Sequence, residues 1–274
     1  MDARLQRRVQ RYGWDRAVDA YAEHWHAALA GVQAELLAAA APAPGEQVLD
    51  VACGTGVVTL AAANAVGARG RVVGVDLSQG MVDSARQRAD ALHLRHVSFE
   101  RMDAEQLVLP DAGFDLALCA LGLMYLPNPE VALRELRRVL RPGGRAALAV
   151  WGARARCGWA PLFPIVDAEV RSEVCPLFFG LGQGDALARA CERAGLRVTL
   201  QRRRADTLVY ANAEDACGAA FAGGPVALAW AHFDAATRAR VRERYVEAIA
   251  PWRDGAGFRI PAEFVIVVAS RDEG

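Results

Sequence analysis

Three carboxylates and a cluster of glycines are the residues best placed to do chemistry. In Val48-Leu-Asp-Val-Ala-Cys-Gly-Thr-Gly56 an apolar run containing Asp50 ends in closely spaced glycines. Glycine permits a sharp turn and close approach of the backbone to a ligand, and a helix opening there points N–H groups at that ligand. Asp76 ends the next apolar run, 20 residues beyond Gly56. A carboxylate so placed can accept hydrogen bonds from two ribose hydroxyls, and it disfavours a 2′-phosphate. Asp103 follows a third apolar run, in Arg101-Met-Asp-Ala-Glu105, where it could accept from an adenine amine. Carboxylates at apolar strand ends need partners, which argues for a ligand. The glycine turn alone fits half of a dinucleotide fingerprint. Thr59 stands where the third glycine of G-x-G-x-x-G would fall, so a nicotinamide-dependent oxidoreductase remains the alternative.

The elements that must position these residues alternate. Short apolar runs at 47–52, 71–75, 97–101, 114–119 and 145–150 predict strands, with helices at 54–65, 78–92 and 129–140 between them. Ser78 is a ready N-cap, and Arg141-Pro-Gly-Gly144 is a stop signal. Strands separated by helices predict parallel β-α-β units. Two more strands, at 196–201 and 264–269, complete the expected fold. That fold is α/β, a Rossmann-like, doubly wound, seven-stranded, mostly parallel sheet whose last strand is antiparallel, with helical cap insertions. Residues 4–41 read as helical, with Gly13 dividing two helices, and 213–250 as mostly helical. The expected organisation is 1–44 as N-terminal helices over the site, 45–152 as the core, 153–184 as a cap segment, 185–206 as core continuation, 207–258 as a helical cap insertion and 259–274 as the final core strand.

Composition narrows the chemistry. The chain has 274 residues, 53% of them hydrophobic, and a net charge of +0, so it can bury a large core and is not dominated by disorder. Without a basic excess it is not expected to bind nucleic acid; Arg202-Arg-Arg204 reads as a solvated strand end. All 32 basic residues are arginine. The absence of lysine excludes Schiff-base chemistry and a P-loop lysine. The six cysteines (Cys53, Cys119, Cys157, Cys175, Cys191, Cys217) form no C-x-x-C pair, which predicts reduced thiols and a cytoplasmic protein. No apolar run reaches the ~18 residues of a membrane span. The pairs His24/His26 and His93/His96 lack partners at metal-ligand spacing, so no metal is expected. Oligomeric state is not readable.

With these motifs in order, residues 45–152 resemble the class I S-adenosylmethionine-dependent methyltransferases, and in particular the UbiE-like, type 11 group. The first family motif, acidic-x-Gly-x-Gly-x-Gly, reads Asp50-Val-Ala52-Cys-Gly54-Thr-Gly56, with Ala52 at the first small position. Val73-Gly-Val-Asp76-Leu-Ser, Asp103-Ala104, the run Phe114 to Asn128 and the run Leu133 to Gly144 match the later motifs. The resemblance implies S-adenosylmethionine as cofactor and S-adenosylhomocysteine as product. It implies that Asp50 orients the methionyl ammonium and that Ala52, Gly54 and Gly56 let the backbone pass. Asp76 would hold the ribose, Leu77 and Met81 would flank the adenine, and Asp103 and Ala104 would meet its amine. Cys119 and Ala120 would lie beside the methionine part, with Tyr21 and Trp25 laid over the cofactor. Met81 and Cys119 equally suit a packing role, and Tyr21 and Trp25 could staple the first helix to the core.

The implied reaction is in-line methyl transfer to a small-molecule acceptor, an O, N, C or S nucleophile, chiefly by positioning and desolvation. Candidate bases are His24, His26, Tyr125 and His232; none lies in a diagnostic motif, and no catalytic residue is assigned. Aromatics in the expected cap (Trp159, Phe163, Phe178, Phe179, Phe221, Trp230, Phe233) could pack it or line an acceptor pocket. A catalytically silent S-adenosylmethionine-binding protein is the remaining alternative.

Overall fold

The computed structural model describes residues 3–170 and 178–273, so Cys175 lies outside the described residues. A helix, α1 (Ala3–Ala40), leads into β1 (Gln47–Val51), α2 (Val57–Val66), β2 (Arg71–Asp76), α3 (Gln79–Ala91), β3 (Val97–Arg101) and β4 (Phe114–Ala120). After these come α4 (Pro129–Val139), β5 (Leu140–Trp151), α5 (Leu162–Asp167), α6 (Ala186–Arg193) and β6 (Arg197–Tyr210). Three helices, α7 (Ala213–Cys217), α8 (Ala227–His232) and α9 (Ala235–Ala248), precede the two-residue β7 (Arg253–Asp254) and β8 (Gly257–Ser270).

The sheet runs β3-β2-β1-β4-β5-β8-β6, with β7 paired to β8. Its first five strands are parallel, and β8 is antiparallel to both its neighbours. The fold is therefore the expected doubly wound α/β sheet, with β7 as a small eighth strand. Residues of β1, β4 and β5 are buried on both faces, as a parallel sheet covered by helices requires. The strand order reverses at β1, with β2 on one side and β4 on the other. Ligands in such sheets bind at the carboxyl ends of the strands beside that point.

Three expectations about the elements are corrected. Gly13 does not divide the first helix: α1 is continuous there, and Gly13 faces α8, where a Cβ would make ordinary contact with Leu228 Cβ at 3.6 Å. The strands expected at 196–201 and 264–269 are both 14 residues long, paired from Arg197 with Ser270 to Tyr210 with Phe258. One face of β6 is solvated, so its sequence alternates and is too polar to read as a buried strand. Arg202-Arg-Arg204 lies mid-strand: Arg203 pairs with Glu263 at 2.7 Å, and Arg204 with Glu35 at 2.9 Å. The helix before Arg141-Pro-Gly-Gly144 does end as expected, α4 stopping at Val139, and the segment itself forms a bulge at the start of β5, where the register with β4 shifts after Phe114 and Leu140.

Candidate active site

The site begins with the turn after β1. Ala52 (φ 55°), Gly54 (φ 53°) and Gly56 (φ 81°) all take left-handed backbone, and Gly56 is the N-cap of α2. The two glycines serve different ends. A Cβ on Gly54 would meet no atom within 4 Å, so this glycine borders open space. A Cβ on Gly56 would lie 3.0 Å from Ala85 Cβ and 3.3 Å from Phe99, so this one lets α3 and β3 pack.

Asp76, at the end of β2, ties the turn down. Its Oδ2 accepts from Gly54 N at 2.9 Å and its Oδ1 from Ser78 N at 2.9 Å. Each carboxylate oxygen keeps a lone pair for a further donor. Ser78 caps α3 as expected, accepting from Met81 N at 3.1 Å. Its hydroxyl donates to Asp15 of α1 at 2.6 Å, and Gly80 N donates to the same oxygen at 3.1 Å. The N-terminal helix is thereby docked beside the carboxylate. Asp103 accepts from Glu105 N at 2.9 Å and pairs with Arg7 of α1 at 3.0 Å. Arg7 also pairs with the nearly buried Glu105.

These groups border one cleft with about 1030 Å³ of empty space, its mouth included, within the usual scale of a small-molecule site. Tyr21, Trp25, Ala52, Gly54, Asp76, Leu77, Met81, Asp103, Ala104 and Ala120 line it. Asp50 lies in a small annex that shares Tyr21, Ala52, Gly54 and Ala120 with the cleft. Gly56 and Cys119 line neither. Cys119 is a buried strand residue whose thiol is pushed up to about 12 by burial. Of the four candidate bases only Tyr125 lines the cleft. His26 Nε2 is 2.7 Å from Thr55 Oγ1, with its pKa lowered by burial and Arg88. His232 Nδ1 is 2.7 Å from Leu228 O. His24 packs over Gly218, whose Cβ would fall 2.4 Å from its Nε2.

The electrostatics favour a cationic ligand. Asp50 is pushed up to about 7, first by burial and next by the Asp76 charge, against the lowering effect of its bond from Thr59 (2.5 Å). Burial raises Asp76 as well, and burial with both carboxylates keeps the Tyr21 phenol protonated. Asp50 Oδ1 is buried and has no hydrogen-bond partner. A buried carboxylate oxygen in that state is costly, and a donor brought by a ligand would offset the cost. The residues present thus fit an adenosyl sulfonium bearing an ammonium group.

Sequence reasoning missed Arg7, Gln10 and Trp14, which line the same cleft from the first turns of α1. The signal was present: positions 7, 10, 14, 21, 25 and 29 form one helical stripe. Breaking the helix at Gly13 hid it. The far end of the cleft is aromatic. Trp151 ends β5, Trp159 precedes α5, and their rings are 4.7 Å apart, with Trp25 at 5.9 and 6.2 Å from them. The buried Trp159 Nε1 has no partner.

Comparison with known proteins agrees with this geometry. Residues 48–144 match the family described as "Methyltransferase domain". By that match the core of the chain is similar to a methyltransferase domain, and the strand order agrees with it. Over the core it is similar to a 2-phytyl-1,4-naphtoquinone methyltransferase of Synechococcus elongatus, 43% identical over 109 residues, which is 38% of this chain and 46% of that protein. It is also similar to a demethylmenaquinone methyltransferase of Bacillus cereus, 41% identical over 102 residues, 37% of this chain and 43% of that one. Both matches span less than half of the relative. A Bacillus halodurans C-125 crystal structure described as a candidate methyltransferase shares the fold at a TM-score of 0.65 and 22% identity, covering 88% of this chain and 99% of that one.

Proposed function

We propose that this protein transfers the methyl group of S-adenosylmethionine to an apolar small molecule. The observation that carries the reading is the convergence of Asp50, Asp76 and Asp103 on one cleft and its annex, at the carboxyl ends of β1, β2 and β3. Bound S-adenosylmethionine supplies an electrophilic methyl on a sulfonium. Asp76, fixed by Gly54 and Ser78, accepts from the ribose hydroxyls. Leu77 and Met81 flank the adenine, and Asp103 accepts from its amine. Asp50 takes the ammonium, Gly54 leaves room for the sugar, and Tyr21 and Trp25 cover the ligand from α1. Gly56, Cys119 and the neighbouring bulk of α2 support these groups from behind.

The aromatic end, with Trp25, Trp151, Trp159 and Tyr125, suits an apolar ring compound, and an oxygen on that ring gives Trp159 Nε1 a partner. The quinone methyltransferases that the core resembles support an acceptor of this kind. The chain's contribution to transfer is to align the acceptor with the methyl group and exclude water. Tyr125 is the sole candidate base beside the cleft, and the reaction is read as needing no base when the acceptor ionises by itself. Residues 45–152, 185–206 and 259–274 form the nucleoside-binding part in this reading, with 153–184 and 207–258 as the cap and 1–44 as the N-terminal cover. Nothing supports the nicotinamide reading: Thr59, in place of the third glycine, is buried and donates to Asp50.

Thermal shift tests the proposal. S-adenosylmethionine and S-adenosylhomocysteine raise the melting temperature, and Asp76→Ala abolishes the rise. No shift with either nucleoside at millimolar concentration overturns it. Release of S-adenosylhomocysteine with ring acceptors separates an enzyme from a silent binder.

A further inference from the structure

Gln33 sits among Val32 and Leu36 on the face of α1 that packs on the core, and is 7% exposed. A buried amide without a partner costs free energy, so its presence in an apolar stripe calls for a donor. Its Oε1 has no hydrogen-bond partner. Gln33 lines the same annex as Asp50, whose Oδ1 is the other unpartnered acceptor there. Thr59 holds the opposite oxygen of Asp50 at 2.5 Å, so the carboxylate cannot turn to relieve itself.

The size of the annex narrows what can enter. It has about 300 Å³ of empty space, its opening included, against about 1030 Å³ in the cleft. The chemistry narrows it further. Two unpartnered acceptors on residues lining one small annex suit one small group with several donors. A protonated primary amine has three, a hydroxyl one, and a carboxylate or phosphate none.

We infer that Gln33 and Asp50 together form a seat for a primary ammonium group, with Gln33 as a binding residue for the amino-acid end of the adenosyl ligand. This rests on the function proposed above. Because the annex and the cleft share Gly54 and Ala120 as walls, a nucleoside held at Asp76 brings its tail beside the annex. Gln33 stays an acceptor at any pH, whereas Asp50 accepts fully only when ionised.

The test compares two ligands with one nucleoside. S-adenosylhomocysteine carries the amino acid; 5′-methylthioadenosine lacks it. By titration calorimetry, Gln33→Met weakens S-adenosylhomocysteine about tenfold, as expected for a hydrogen bond to a charged group. Binding of 5′-methylthioadenosine stays within about twofold. Gln33→Asn keeps the amide but withdraws it by one methylene, and gives the same selective loss should the apolar variant fold poorly. Equal losses for both ligands, or no loss for either, overturn the inference while leaving the methyltransferase reading in place. A wild-type protein that binds neither ligand overturns both.

Discussion

At one end of the cleft the contacts come from carboxylates anchored to backbone, all between Asp50 and Asp103. At the other they come from rings contributed by α1, β5 and the segments around Tyr125 and Trp159. The first end is fixed by local geometry: Gly54 N and Ser78 N hold both oxygens of Asp76, and Thr59 holds Asp50. Its acceptor oxygens are held in place before any ligand arrives, which limits the rearrangement of side chains that binding requires. The second end is held by edge-on ring packing, Trp25 on Trp151 and Tyr125 on Phe178, which depends on shape and tolerates replacement. In the function proposed above, one core can therefore keep its nucleoside while the elements around it change the acceptor.

The largest expected effect separates the two ends. Asp76→Ala removes acceptors for two hydroxyls and lowers S-adenosylhomocysteine affinity by about 100-fold or more. Trp159→Leu costs a few kcal/mol of stability, on the order of other large-to-small core changes, yet leaves that affinity within about threefold. Calorimetry on both variants checks this. A nucleoside loss at Trp159 as large as that at Asp76 would mean that the cleft is not divided as drawn.

The two glycines of the turn sharpen the same division on a smaller scale. Gly54→Ala places a methyl in open space that the ligand needs, so it weakens nucleoside binding about 30-fold while costing roughly 1 kcal/mol of stability for its positive φ. Gly56→Ala meets Ala85 and Phe99 and costs about 1–3 kcal/mol, with a smaller effect on binding. Denaturant melts beside titrations read both. Reversal of the pattern would assign the ligand to the wrong glycine.

Titration of Asp50 gives the next effect. Its carboxyl is raised from 3.8 to about 7 by burial. In the free protein the folded state holds this proton while the unfolded state has lost it, so this group's contribution makes stability fall as pH rises from about 4 to 7. An ammonium ligand needs the ionised form, so binding below pH 7 releases a proton. Affinity for S-adenosylhomocysteine therefore rises about tenfold from pH 6 to pH 8, then levels. Asp50→Asn flattens both dependences and binds weakly throughout. Calorimetry in buffers of different ionisation enthalpy counts the proton.

Legibility followed the same boundary. Asp50, Ala52, Gly54, Asp76 and Asp103 could be placed beside one cleft and its annex because strand ends and turns put them at fixed spacings, where local geometry decides their place. The aromatic end could not be assembled from sequence, because Trp25 and Trp151 meet only through the docking of α1 on β5, 126 residues apart by their numbers. Gln33 was hidden for a related reason: a glutamine in an apolar helix face shows its purpose only when the cavity beside it is known. The long β6–β8 pair was underread because half of it faces water, and Gly56 and Cys119 showed that a motif position can serve packing.

The smallest effect tests whether α1 belongs to the site or competes with it. Arg7 pairs with Asp103 across 3.0 Å, with both side chains partly exposed at 31% and 26%. Such a pair is worth at most about 1 kcal/mol. An adenine amine reaching Asp103 must share or displace that guanidinium. Arg7→Ala frees the carboxylate and tightens nucleoside binding by about two- to threefold, and 0.5 M salt, at roughly half of the physiological screening length, does the same for the wild type. Stability moves the other way, because Glu105 is buried and loses its countercharge. Tighter binding with a lower melting temperature marks Arg7 as a latch on the nucleoside end. Weaker binding would instead make α1 part of the adenine seat, and the division between the two ends would shift toward the N-terminus.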